Sequence, residues 1–130
     1  MSLDEALGRY AEAAQDLSSA GLAEAAGNHF NCADLCNQVA EEVLQAVYVL
    51  RHDSPAPYDH DLVALGRLVE VSPAVLDDLA ALNPYHPAAF LDTRSTDEAD
   101  DEVGGEVAED LLARARRVVR WARPIVLSSY

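Results

Sequence analysis

The sequence predicts an all-α fold: an up-and-down bundle of four longer helices plus one short helix. Three observations point there. Half of the 130 residues are hydrophobic, many of them Ala, Leu and Val, and only 6 Pro and 6 Gly interrupt them, a composition that suits helices better than strands. Apolar residues recur at intervals of three and four along most of the chain, the spacing of one helical face. The length fits a single domain, residues 1–130, whose core needs no covalent staple.

The first helix opens with Ser2 and Glu5 at capping-box spacing and carries Leu3, Leu7, Tyr10, Ala14 and Leu17. We expect it to end near Gly21. The second then runs from about Leu22 to Leu50, with one stripe of Ala26, Ala33, Ala40, Val43, Val47 and Leu50 and another of Cys32, Leu35, Val39 and Ala46. A surface helix needs one apolar stripe, so two imply burial on both sides. Pro55 and Pro57 force a turn within 52–60. Asp61 is placed to cap a third helix with Leu62, Leu65, Leu68 and Val69 inside. Ser72-Pro73 has N-cap and N1 chemistry for a short fourth helix carrying Leu76, Leu79 and Leu82.

Residues 83–102 read as an acidic loop. Pro84 and Pro87 break it, and the run Asp97-Glu98-Ala99-Asp100-Asp101-Glu102 is expected to be mobile, since like charges repel and no apolar stripe anchors it. The last helix is expected from about Glu106 to Arg123, stopping before Pro124. Val107, Ala108, Leu111, Leu112, Ala115, Val118, Val119 and Ala122 fall on one arc of it, and Arg116, Arg117, Arg120 and Arg123 on the other.

Charge narrows the function classes. The net charge is −14, with no lysine, and five of the nine arginines lie between Arg114 and Arg123. Those five against Glu106, Glu109 and Asp110 give residues 103–130 a net +2, which leaves −16 on the rest. Most of the surface therefore repels phosphates, and specific DNA binding is not expected. Leu65 to Leu76 mimics a helix-turn-helix, but its would-be recognition helix carries Asp77 and Asp78 and no base. The arginine arc is either a solvated face or a site for a nucleotide, an RNA or an acidic partner. No apolar run is long enough for a bilayer and the first residues are acidic, so we expect a cytoplasmic protein with no membrane partner.

His29, Cys32 and Cys36 share one helical face at i, i+3 and i+7. Three zinc-capable side chains need a fourth ligand from elsewhere, and two small thiols on an apolar stripe are better read as core. We expect neither metal nor cofactor. A close approach of two copies of the second helix at Ala33, Ala40 and Ala46 would cover its second stripe, so a homodimer is expected there.

The segment Gln38-Val39-Ala40-Glu41-Glu42-Val43-Leu44-Gln45-Ala46, followed by His60-Asp61-Leu62 and Leu65, resembles the HEPN domain, whose members carry a QAxExxLKA-like run and then an HDL turn. The resemblance covers roughly residues 31–82. Gln45 stands where members often have Lys, and Leu82-Asn83-Pro84-Tyr85-His86-Pro87 occupies the place of an Arg-Tyr-Pro segment without its arginine. The resemblance implies a HEPN-like bundle. His60 and Asp61 open the third helix, where polar side chains more often satisfy backbone groups than do chemistry; with Arg116, Arg120 and Arg123 of the arginine arc they are the candidate ligand contacts. The resemblance also implies partnership with a minimal nucleotidyltransferase in a toxin-antitoxin-like pair, or nucleotide binding. Members that cleave RNA carry an Arg followed after four to six residues by His. No histidine here has one, Arg51 lying nine positions before His60. We therefore expect no catalytic residue and a non-nucleolytic accessory role. The alternative is a divergent ribonuclease that uses the arginines of the last helix with a histidine brought close in space.

Overall fold

The computed structural model describes residues 2–56, 61–86 and 95–128, with only the backbone placed at Ser2 and Thr96. Five α-helices follow in order: α1 (Ser2–Ala25), α2 (His29–His52), α3 (Leu62–Leu68), α4 (Pro73–Leu82) and α5 (Thr96–Ser128), with a 3-10 turn at Asn83–Tyr85 between the last two. No strand occurs among the described residues. The all-α bundle is as the periodicity predicts.

α1 and α2 form a helical hairpin, and its turn lies later than expected. Gly21 has open space around it and stays helical, whereas Gly27 takes φ +78°. The Asn28 N–H donates to the Ala23 carbonyl and the Gly27 N–H to the Glu24 carbonyl, the paired bonds that end a helix at a left-handed glycine. Ala26 accordingly lies in the turn, exposed, and α2 begins at His29.

α2 is the central rod. Its inner residues, among them Val39, Val43, Leu44 and Val47, are fully buried, because α1 packs on one side and α5 on another, with the α3–α4 hairpin and the 3-10 turn closing the remainder. The cover that two apolar stripes require thus comes from the chain itself. Ala33, Ala40 and Ala46, the expected dimer contact, are each 0% exposed in the single chain, so they present no surface to a second copy.

α3 and α4 together make the return leg between α2 and α5. Asp61 caps α3 as expected, its Oδ1 accepting from the Val63 and Ala64 amides at 3.0 and 3.3 Å. Ser72 Oγ accepts from the Val75 amide at 3.3 Å with Pro73 at the first helical position. Leu62, Leu65 and Val69 are buried, but Leu68, expected inside, is 48% exposed, since about 100° per residue sets it off the arc of the other three, which α2 and α4 cover. The two helices approach closely at Gly66, where a Cβ would come within 2.5 Å of Leu79 Cδ1.

The acidic run is the main departure. Residues 97–102 are helical, as the start of α5. Ser95 Oγ accepts from the Glu98 amide at 3.2 Å, Ala99 and Val103 one turn apart are buried, and carboxylates near a helix start meet the positive end of its dipole. Asp100 Oδ1 also accepts from the Phe30 amide at 2.8 Å, capping the first turn of α2. Gly104, at φ 67° and ψ 166°, kinks α5. The helix then passes through Pro124 instead of stopping there, because Val126 is buried and draws the final turn back onto the bundle.

Candidate functional site

The arginines of α5 divide between its two flanks. At about 100° per residue, Arg116, Arg120 and Arg123 fall within an arc of about 60°, and Arg114 and Arg117 lie further round. On that far flank stands Asp78 of α4, 4% exposed. Arg117 Nη2 donates to Asp78 Oδ1 at 2.8 Å and its Nε to Oδ2 at 3.1 Å, a fork on a carboxylate. Arg114 Nη1 reaches Asp78 Oδ1 at 3.2 Å while its Nε donates to Asp110 Oδ2 at 2.8 Å. The carboxylates raise both guanidinium pKa values, Asp110 chiefly for Arg114 and Asp78 for Arg117. These two arginines bind α5 to α4.

Arg116, Arg120 and Arg123 are exposed, and no described residue forms an ion pair with them. Their i, i+4, i+7 spacing strings three positive charges over roughly 10 Å of helix. At the Arg116 end of the row an open groove of about 490 Å³ lies between α1 and α5, lined by Ala14, Leu17, Ser18, Gly21, Leu22 and Arg116. Its floor is made of small residues, and Leu22 on its rim is 71% exposed. The structure therefore brings the three expected arginines into one row and adds, at its Arg116 end, a groove of mixed polarity floored by small residues that periodicity did not single out. The signal was present: Ala14, Ser18 and Gly21 at i, i+4, i+7 lie on the side of α1 away from its buried Ala13 and Ala20.

The other expected contacts separate from this row. Asp61 is taken up by its capping bonds and by Asn83 Nδ2, which donates to its Oδ1 at 3.1 Å while Asn83 Oδ1 accepts from the Leu62 amide at 2.9 Å. His60 lies outside the described residues, as does Pro87 of the Leu82–Pro87 segment. In that segment Leu82 is held by buried Asn37, whose Nδ2 donates to the Leu82 carbonyl at 3.0 Å. Gln45 accepts from Arg9 Nη1 at 2.6 Å, a contact that ties α1 to α2. Arg51 donates to the Val69 carbonyl and lies over the Trp121 ring at 6.0 Å. It is occupied in packing.

Cys32 and Cys36 are fully buried. Cys32 Sγ donates to the Ala108 carbonyl at 3.8 Å, and the neighbouring Cys32 and burial push the Cys36 thiol up. Both are core thiols. Among the described residues the group with metal-ligand spacing is a different one, Glu12, Asp16 and Glu42, whose ligand atoms lie within 4.8 Å of one another across the α1–α2 interface. Three carboxylates suit a hard cation, or else must share protons. Burial first, then the Asp16 and Glu12 carboxyls, push the Glu42 pKa up to about 9, so at neutral pH it is protonated. Its Oε1 is buried without a partner. Sequence spacing could not show this cluster, because it forms only when α1 and α2 pair.

No family model matches the chain, and no curated protein does. The likeness is one of structure. The chain superimposes on the crystal structure of TT1696 from Thermus thermophilus with a TM-score of 0.78 at 18% identity, covering 92% of this chain and 96% of that one. It superimposes on ST0689, described as an archaeal HEPN homologue, with a TM-score of 0.79 at 18% identity, covering 94% and 98%. Among the described residues no helix is long and apolar enough to cross a membrane. The fold is HEPN-like.

Proposed function

We propose that this chain is a non-nucleolytic, HEPN-like accessory protein that works by binding, as partner of a minimal nucleotidyltransferase in a toxin-antitoxin-like pair. The observation that carries the reading is the row Arg116, Arg120 and Arg123: three exposed cations left without counter-ions among the described residues, on a chain of net charge −14, while Arg114, Arg117 and Arg51 are consumed in packing. A row of this kind attracts an anionic group and does no bond chemistry by itself. The missing Arg-x4-6-His motif supports the same reading, because charge stabilisation and proton transfer in RNA cleavage need both groups side by side.

Two tests bear on it. Co-expression with a minimal nucleotidyltransferase should give a complex that survives gel filtration, and the purified chain should leave RNA intact. Cleavage that is lost in both His60→Ala and Arg120→Ala would overturn the reading in favour of a divergent ribonuclease. A second reading, nucleotide binding, is favoured by the same row, since guanidinium groups pair with phosphates in a fork. It requires ATP or GTP to bind the chain alone and Arg120→Glu to abolish that binding. Self-association belongs to the proposal only through an outer surface, Ala33, Ala40 and Ala46 being enclosed.

A further inference from the structure

We infer that the groove between α1 and α5 docks an acidic amphipathic helix of a partner protein, its apolar side chains seated over Ala14, Ser18 and Gly21 and its carboxylates on Arg116, Arg120 and Arg123. This deepens the accessory reading and rests on it: it names the chemistry by which the partner is recognised.

Shape comes first. Small residues along one helix face let a second helix approach closely, and Ala14 to Leu22 span roughly 12 Å of α1, about two helical turns. The trough is concave and needs a convex occupant. Leu17 and Leu22 flank its floor, and Leu22, the most exposed large apolar side chain among the described residues, gains cover only if something lies there.

Charge selects the occupant. Arg116 belongs to the groove lining itself, and Arg120 and Arg123 continue from it on the same arc of α5, so a helix long enough to run past the groove meets one positive charge in it and two beyond. A second copy of this chain is disfavoured, because a two-fold contact presents the same patch to itself; groove would face groove and the arginine row would face its own counterpart. A single-stranded RNA is disfavoured too. Such sites stack bases on aromatic rings, and among the described residues no aromatic side chain lines the groove; Trp121 of the same helix is half-buried and engaged with Arg51.

The test uses the full chain and a synthetic probe: a fluorescein-labelled 16-residue helical peptide with leucines at i, i+4, i+7 and i+11 flanked by glutamates, against the same peptide with lysines for glutamates. Anisotropy should show binding of the glutamate peptide alone, weakened at least tenfold by Leu22→Asp and by Arg116→Glu. Both positions are at the surface, so circular dichroism should show unchanged melting. A Gly21→Leu variant, which fills the trough while leaving the arginines intact, should also lose the peptide. Equal binding of the two peptides, no binding of either, or binding indifferent to these substitutions overturns the inference. So does tighter binding of a ten-residue oligouridylate lost in Arg120→Glu, which assigns the row to nucleic acid, or self-association abolished by Leu22→Asp, which assigns the groove to a second copy. A nucleotidyltransferase complex untouched by Leu22→Asp and Arg116→Glu would sink the groove and leave the accessory role standing.

Discussion

The two flanks of α5 carry the same residue type to opposite ends. On the α4 side, Arg114 and Arg117 converge on Asp78, an almost fully buried carboxylate; on the α1 side, Arg116, Arg120 and Arg123 face water, Arg116 against a groove floored by small residues of α1. The difference lies in what the neighbouring helix offers. α4 places one acid where two guanidinium groups can reach it, and α1 places alanine, serine and glycine. Arginine on one flank is an architectural clamp, and on the other it is uncompensated charge.

The sharpest way to break this comparison is to remove the clamp. Replacing Arg114 and Arg117 together with alanine strands the Asp78 carboxylate, and an orphaned buried charge costs roughly 3 kcal/mol or more. Urea denaturation should show a midpoint lowered accordingly, with α4 the first element to lose hydrogen-exchange protection. Asp78→Asn in the arginine-depleted background should recover part of the loss, since the neutral amide tolerates burial better. If the double variant is as stable as the parent, Asp78 is solvated and the flanks are alike.

Next in size is the cap of α3. Asp61→Ala removes the oxygen that accepts from the Val63 and Ala64 amides and from Asn83 Nδ2, for a loss of about 1 kcal/mol measurable in the same denaturation. Its larger meaning is functional: nucleotide binding unchanged in Asp61→Ala would leave the residue a cap alone.

The carboxylates of α1 and α2 give a pH-dependent contrast with the arginine clamp. Glu42 has its folded pKa raised from an ordinary 4.5 to about 9. The folded chain therefore binds a proton that the unfolded chain has released, and its contribution is whole below pH 4.5 and lost progressively as pH rises through about 9. Glu42→Gln should remove that slope and raise the melting temperature at pH 8 by a few degrees, about 1 kcal/mol. At pH 4 the variant and parent should melt alike. A parent whose melting temperature is flat between pH 5 and 9 would mean that the three carboxylates do not crowd one another.

These contrasts also mark what was legible in the chain. Local chemistry was: Asp61 and Ser72-Pro73 begin helices because their side chains meet the nearest amides, and the 3.6-residue period put the arginines on one arc. Pairing across helices was not. Gly21 and Gly27 look alike as stop signals, and only at the second does the helix end, the Gly27 amide donating to the Glu24 carbonyl and the Asn28 amide to that of Ala23. The acidic run looked unanchored because its buried anchors, Ala99 and Val103, are small and four apart among carboxylates. Pro124 looked terminal because the burial of Val126 beyond it is a tertiary fact. The same limit merged the arginines wrongly into a single face, since nothing in the spacing says that Asp78 lies opposite Arg117.

The smallest effect on stability is the most telling for function. Replacing Arg116, Arg120 and Arg123 together with serine touches exposed side chains that bond to no described residue, so the denaturation midpoint should move by no more than about 0.5 kcal/mol. The same variant should lose its partner, and loss of binding in the parent should follow rising salt, because exposed charges are screened over about 8 Å at physiological ionic strength. Set beside the Arg114 and Arg117 pair, it separates the two roles on one helix: the far flank governs whether the chain folds, and the near flank governs what it holds. A triple variant that melts as early as the double one would show that the row props up the bundle after all, its charges tied into the fold no less than those of the clamp.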